Sequence, residues 1–163
     1  MIWSKVKKSL KEKFSEKVNK EVDFHMTGYG GSHSDGRAWI TINGEEVANF
    51  STHESYVHFG KPWNELTKDS RWARHEKVNE DMRTPLLLME KGEFSRGDFT
   101  DCCFHYLSLS ITDAIKNEHP IIRMLATLDK RTGKRTLESW IKKEMNPLVK
   151  YFIEYRIDSE KNN

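Results

Sequence analysis

The stretch RAWITINGEEVANF (37–50) decides the fold of the N-terminal half of this chain. In its first part, apolar side chains occupy every second position from Ala38 to Ile42, a period that is typical of a half-buried strand. Asn43-Gly44 follows directly. This pair favours a two-residue hairpin turn, because both central positions of a type I′ turn need a positive φ. Residues 46–50 are therefore predicted to return as a second strand.

A further strand is predicted before this hairpin. Val18, Val22, Phe24 and Met26 lie at even positions among polar residues, which again indicates a period of two. The segment GYGGSHSDG (28–36) is rich in glycine and serine and is predicted to be a loop. The three strands together predict an antiparallel meander.

Helical spacing precedes the meander. Trp3, Val6, Leu10 and Phe14 recur three or four residues apart, so an amphipathic helix is predicted over residues 3–18.

The C-terminal half is predicted to be mainly helical. Ser95 and Asp98 have the spacing of a capping box, and Asn146-Pro147 has the composition of a helix start. A helix that opens at His119-Pro120 is predicted to end at Gly133, because glycine is favoured just past a helix C-terminus. The predicted fold class is therefore α+β, with an N-terminal amphipathic helix, a three-stranded antiparallel β-meander and a mainly α-helical C-terminal half.

Length and composition narrow the class of protein. The chain has 163 residues, 36% hydrophobic and 32% charged, with a net charge of +2. At this length we expect one domain, over residues 1–157, followed by a disordered tail at 158–163. No apolar run approaches the roughly 20 residues of a membrane helix, and we expect no signal peptide. The adjacent Cys102 and Cys103 are predicted to be buried, and two thiols fit a reducing cytoplasm.

Aromatic residues are concentrated directly after the meander, where five of the 23 residues from Phe50 to Trp72 are aromatic. Trp, Tyr and Arg dominate the binding energy of protein interfaces, so this segment favours a non-enzymatic cytoplasmic protein-interaction module. The structural alternative is a small satellite core that pins an irregular segment. The candidate contact residues are Tyr56, Phe59, Trp63, Arg71, Trp72 and Arg74.

Two basic regions suggest a different function. Residues 1–20 carry seven Lys against two Glu, and the segment 129–144 is also basic. Such cations contact phosphates, so a nucleic-acid-binding protein is the first alternative. The simpler structural interpretation is a solvated helix face, and no membrane partner is expected. The candidate phosphate contacts are Lys7, Lys8, Lys11, Lys130, Arg131, Lys134 and Arg135.

Histidines suggest a second alternative, a hydrolase-like enzyme around His53, Glu54 and His58. Zinc-protease histidines lie four residues apart on one helical face, whereas these lie five apart, about 140° around a helix. His33-Ser34-Asp35 is also a poor match to a nucleophilic triad, because consecutive residues rarely reach the required geometry. No catalytic residue, metal ligand or cofactor is therefore predicted.

Four segments resemble the motifs of a known family, namely WSKVK (3–7), RAWITI (37–42), LDKRTGKRTL (128–137) and NPLVKYFIEYRI (146–157). They are similar to those of a group of uncharacterised small bacterial cytoplasmic proteins that begin Trp-Ser-Lys and close on an aromatic-rich helix. The resemblance implies a bacterial cytoplasmic protein, and it implies no activity, cofactor or site residue.

Overall fold

The computed structural model describes residues 2–28, 36–51 and 94–161. The order of elements in these ranges confirms the predicted α+β class, with an N-terminal helix, a three-stranded antiparallel sheet and a mainly helical C-terminal half. The elements are α1 (Trp3–Lys13), α2 (Glu16–Glu21), β1 (Val22–Gly28), β2 (Gly36–Ile42), β3 (Glu45–Ser51), α3 (Arg96–Ser108), α4 (Ile111–Ile115), α5 (Pro120–Leu128), α6 (Lys134–Trp140) and α7 (Pro147–Lys161).

The chain divides into two compact units. The helical unit comprises Met1–Asp23, Ile42–Gly44 and Thr100–Asn163, and the sheet unit comprises Phe24–Thr41 and Glu45–Phe99. The single domain expected over residues 1–157 stays a prediction.

The sheet has the strand order β1-β2-β3. Between β2 and β3, Asn43 and Gly44 have φ values of 51° and 86°, the positive values that a type I′ turn needs. The predicted hairpin is therefore confirmed, with its turn at Asn43-Gly44.

Aromatic packing anchors the sheet unit. Phe24 on β1 and Phe50 on β3 contact the ring of Phe99 in the first turn of α3, with ring centroids 5.9 Å and 4.5 Å apart. All three side chains are fully buried. Phe24 therefore lies on the inward face that the alternation of Val22, Phe24 and Met26 predicts.

The N-terminal segment differs from its prediction at one point. The helix predicted over residues 3–18 ends at Lys13, because Phe14 is extended and forms an antiparallel bridge with Asp129. The backbone N–H of Lys130 donates to the carbonyl of Lys13 at 2.9 Å. A second helix, α2, follows this break and contains Val18, so the first strand begins at Val22 and not at Val18.

The helix starts in the C-terminal half lie where their caps predict. The Ser95 hydroxyl accepts from the N–H of Asp98 at 3.1 Å, and the Asp98 carboxylate accepts from the N–H of Ser95 at 2.7 Å. The side-chain oxygen of Asn146 accepts from the N–H of Leu148 at 3.0 Å. Each bond satisfies a backbone donor that the first helical turn leaves unpaired.

Two helix ends differ from prediction. α5 ends at Leu128, because Asp129 leaves the helix to pair with Phe14, and Gly133 precedes the start of α6 instead of ending α5. The tail predicted from residue 158 is wrong up to residue 161, because α7 continues to Lys161. The ammonium of Lys17 donates to the carbonyl of Ser159 at 2.9 Å, and this bond holds the last turns of α7.

The core of the helical unit lies between α5 and α7. Burial of each large apolar side chain stabilises the fold by about 1.5–3 kcal/mol. The fully buried residues of the two helices include Ile121, Leu125, Leu128, Leu148, Phe152 and Ile153. Cys102 and Cys103 on α3 are also buried, as predicted, and neither forms a disulfide. Burial raises the pKa of the Cys103 thiol well above its ordinary value, so the thiol stays protonated.

Candidate functional site

The residues predicted for protein interaction lie outside the described ranges. The same is true of the proposed hydrolase-like group and of the loop triad. These positions are Tyr56, Phe59, Trp63, Arg71, Trp72 and Arg74 for protein interaction, His53, Glu54 and His58 for the hydrolase-like group, and His33, Ser34 and Asp35 in the loop.

Four of the seven predicted phosphate contacts are held by bonds within the protein. Lys7 and Lys11 both donate to the carboxylate of Asp23, at 2.9 Å and 3.3 Å. The Lys130 ammonium donates to the carbonyl of Glu12 at 3.0 Å. Arg131 is the fourth, and Asp129 binds its guanidinium. The remaining three, Lys8, Lys134 and Arg135, are exposed.

Two open clefts lie on the helical unit, and each contains part of the basic 130–135 turn. The first has a volume of about 490 Å³ and is called here the Arg131 cleft; it is lined by Ser9, Glu12, Lys13, Leu107, Lys130 and Arg131. The second has a volume of about 530 Å³ and is called the Trp140 cleft; it is lined by Ile115, Lys116, Arg135, Thr136, Ser139, Trp140 and Lys143.

A buried carboxylate holds the arginine of the Arg131 cleft. Asp129 is fully buried, and its two oxygens accept from the Arg131 side chain at 3.0 Å and 2.7 Å. The backbone N–H of Arg131 donates to it at 2.8 Å, and the Tyr106 hydroxyl donates at 2.5 Å. The carboxylate therefore receives donors from α3 and from its own turn. It joins these two parts of the helical unit.

The protonation states in this cluster follow from burial and hydrogen bonding. Burial alone would raise the pKa of the Asp129 carboxyl, but the bonds from Arg131 and Tyr106 outweigh it and lower that pKa. Burial, together with the bond to Asp129, raises the pKa of Tyr106 above its ordinary value. At neutral pH the cluster is therefore an ionised carboxylate, a guanidinium and a neutral phenol.

A second buried carboxylate, Glu144, supports the Trp140 cleft. Its exposed fraction is 7%. It accepts from the Arg123 guanidinium through two bonds of 3.0 Å and from the indole N–H of Trp140 at 3.0 Å. The backbone N–H groups of Met145 and Asn146 also donate to it, at 3.2 Å and 2.9 Å. Burial would raise the pKa of the Glu144 carboxyl, but these bonds lower it.

Arg123 connects the two walls of the Trp140 cleft. One terminal nitrogen donates to the carbonyls of Asn117 and Glu118, at 2.9 Å and 2.7 Å, in the connection that follows α4. The rest of the guanidinium binds Glu144, which follows α6. Arg123 therefore links the segment after α4 to the segment after α6, and both of these helices supply lining residues of the cleft.

The cations of the Trp140 cleft have a different environment from those near Asp129. Lys116, Arg135 and Lys143 are exposed, and none of them makes a side-chain hydrogen bond or ion pair with the residues at 2–28, 36–51 or 94–161. Trp140 lies among them and is partly exposed. Its N–H is already satisfied by Glu144, so the ring offers an apolar surface. The arrangement can bind a negatively charged group together with an apolar side chain.

Sequence reasoning missed most of this cleft. The spacing of Leu137, Trp140, Ile141 and Met145 predicts an inward helix face, but only Leu137 is buried and Met145 is 83% exposed. One usable signal was present: Thr136 precedes Trp140 by four residues, a spacing that brings side chains together on a helix.

The described ranges contain neither a metal-binding cluster nor a membrane-spanning helix. Within the described ranges, no group of three or more His, Cys, Asp or Glu side chains is arranged to hold a metal ion. No helix in those ranges has both the length and the apolar character needed to cross a bilayer.

Comparison with known proteins identifies one family. No curated protein and no solved structure matches the chain. One family, described as the SF0329 protein family, matches residues 2–157. The match includes all four segments whose motifs resemble a known family, at both ends and in the central strands. This chain therefore belongs to the SF0329 protein family.

Proposed function

We propose that this protein is a non-enzymatic protein-interaction module of the bacterial cytoplasm, and that the Trp140 cleft is a contact surface for its partner. One observation carries the proposal. A partly exposed Trp lies among three cations that have no partner within the described ranges. Trp and Arg are enriched at the centres of protein interfaces, where they contribute most of the binding energy.

Two further observations support the proposed location in the cytoplasm. The buried Cys102 and Cys103 form no disulfide, as is usual where the cytoplasm keeps thiols reduced. The resemblance of the end segments to small bacterial cytoplasmic proteins points the same way. The aromatic segment after the meander, with Tyr56, Trp63 and Trp72, is proposed as a second contact region of the same module.

Binding of nucleic acid is the alternative, and the bonding of the cations weighs against it. Lys7, Lys11, Lys130 and Arg131 already bind groups within the protein. A phosphate could contact these side chains only if their bonds within the protein were broken or shared with the phosphate. Three of the predicted phosphate contacts then remain, fewer than the six to ten phosphate contacts of a typical strongly salt-dependent binder.

Site-specific photocrosslinking in living bacteria tests the proposal. A photoreactive phenylalanine analogue replaces Ser139, which lines the cleft, or Glu154, an exposed residue of α7 that does not line it. We expect a discrete protein adduct from position 139 and none from position 154. Arg135→Glu with Lys143→Glu should abolish the adduct, whereas Lys5→Glu on α1 should leave it unchanged.

Two outcomes of the crosslinking experiment would contradict the proposal. If position 139 gives no protein adduct, the Trp140 cleft is not the contact surface and the proposal is wrong. If the adduct disappears on treatment with nuclease, the partner is a nucleic acid and the alternative function replaces the proposed one.

A further inference from the structure

We infer that the partner segment bound by the Trp140 cleft is an acidic peptide that places one apolar side chain against Trp140. This inference rests on the proposed function and specifies the chemistry of the partner. It follows from the charge of the cleft, the environment of the indole ring and the rigidity of the cleft walls.

Charge selects an acidic partner. Lys116, Arg135 and Lys143 give the cleft three positive charges, and no carboxylate is among its lining residues. Two carboxylates are adjacent in sequence to lining residues: Glu144 is buried and already paired with Arg123, and Glu138 is exposed but does not line the cleft. Opposite charges across an interface favour the correct partner and speed association. Carboxylates on the partner would therefore supply counter-charges that the described part of the chain does not place in the cleft.

The indole ring selects an apolar side chain. The N–H of Trp140 donates to Glu144, so no polar atom of the ring is left unsatisfied when an apolar group covers it. Ile115 lines the same cleft from α4, and both residues are partly exposed. Together they form an apolar surface bordered by the three cations. The hydroxyls of Thr136 and Ser139 can donate further hydrogen bonds to carboxylates.

The rigidity of the walls lowers the cost of binding. Arg123 binds Glu144 on one side and two carbonyls of the α4–α5 connection on the other. Trp140 is tied to the same carboxylate. Because these bonds exist before binding, the partner need not order the aromatic anchor or bring the walls together.

Titration of the isotope-labelled full chain with defined peptides tests the inference. The probes are twelve-residue peptides in three sets: Asp- and Glu-rich with a single Leu, Phe or Trp; equally acidic with Ala in its place; and Gln- and Asn-rich with the same apolar residue. A mixed-sequence RNA of twelve nucleotides is the fourth probe. The NMR signals followed are the amides of Thr136 and Ser139 and the indole N–H of Trp140.

We expect the acidic apolar peptides to shift these signals with saturation. Both control sets should bind about tenfold or more weakly, because each lacks one of the two interactions. Affinity should fall by about tenfold between 50 and 300 mM NaCl, since screening weakens contacts between exposed charges. Arg135→Glu should reduce affinity by about tenfold, whereas Lys5→Glu, an equal change in charge on α1, should change it by less than about twofold.

Other outcomes overturn the inference, and they are distinguishable from failure of the proposed function. Equal binding of the neutral apolar peptides would remove the requirement for an acidic partner. Equal binding of the Ala-containing acidic peptides would remove the apolar anchor. If no peptide binds while the crosslink at Ser139 persists, the partner chemistry is wrong but the interaction surface stands. If only RNA shifts the three signals, both the inference and the proposed function fail.

Discussion

The Arg131 cleft and the Trp140 cleft are built alike, yet two of the three cations that line the first, Lys130 and Arg131, bind groups within the protein, whereas those of the second have no partner in the described ranges. Each cleft lies beside a buried carboxylate that accepts from an arginine, an aromatic donor and backbone N–H groups. At Asp129 the paired arginine, Arg131, itself lines the cleft. Its charge is therefore already neutralised within the protein and is less available to a ligand. At Glu144 the paired arginine is Arg123, which does not line the cleft, and the lining cations stay available.

The comparison shows that a count of basic residues does not locate a binding surface. Lys130 and Arg131 are as basic as Arg135 and Lys143, but they stabilise a junction between distant parts of the chain. The four predictions below test this difference, beginning with the change expected to cost most stability.

Replacement of Asp129 by Ala should have the largest effect. It leaves the buried Tyr106 hydroxyl without its acceptor and removes the partner of Arg131. Removing one member of a buried ion pair costs roughly 3–5 kcal/mol, and we expect a loss of about 3 kcal/mol because Arg131 is partly exposed. Urea unfolding followed by circular dichroism measures the change. Glu138→Ala, at an exposed position of α6, is the control, and a loss below about 1 kcal/mol for Asp129→Ala would contradict a structural role.

Replacement of Arg123 by Met should destabilise the chain by about 2 kcal/mol. Met keeps much of the side-chain volume, but Glu144 loses its cation and two carbonyls lose a donor. The indole N–H signal of Trp140 should also shift, because Glu144 is its acceptor. Arg135→Met, at an exposed position of α6, should leave both stability and that signal nearly unchanged. An unaltered indole signal in Arg123→Met would show that the two residues are not coupled.

Stability should fall in acid. The pKa values of the Asp129 and Glu144 carboxyls are lowered in the folded chain, so the unfolded chain binds protons more tightly. Their contribution is complete above the ordinary values of 3.8 and 4.5 and is lost as pH falls through the lowered values. Urea unfolding at a series of pH values measures this slope. Glu144→Gln should make the slope shallower, and a variant with the slope of the parent chain would refute the assignment.

The charge reversals Arg135→Glu and Lys143→Glu should have the smallest effect on folding. Both residues are exposed and make no ion pair within the described ranges, so we expect a change in unfolding free energy below about 0.5 kcal/mol. Binding through the Trp140 cleft should nevertheless be lost. A large destabilisation would mean that these cations, like Arg131, serve the fold.

Local signals account for the parts of the fold that the sequence predicts well. The Asn43-Gly44 turn, the Ser95 capping box and the Asn146 cap each depend on residues within a few positions. Two of the wrong boundaries, the ends of α1 and α5, have a common cause, the backbone pairing of Phe14 with Asp129. No local pattern indicates a partner so distant in the chain.

The candidate site was less predictable than the fold. Arg135 was recognised as a cation, but the pattern around Trp140 predicts a core position. The ring is partly exposed and its indole N–H donates to Glu144, which in turn accepts from Arg123 in another helix. Such a network becomes visible only when the helices are packed.

The most direct test is a side-by-side titration in which both clefts are observed in one sample. An acidic peptide with a single apolar residue is added to the labelled full chain while the amides of Ser139 and Lys143 are followed together with those of Ser9 and Lys130. We expect saturable shifts at Ser139 and Lys143 and none at Ser9 and Lys130. Shifts confined to the Arg131 cleft, or none at either cleft, would contradict the interpretation that the cations around Trp140, which have no partner in the described part of the chain, form the binding surface.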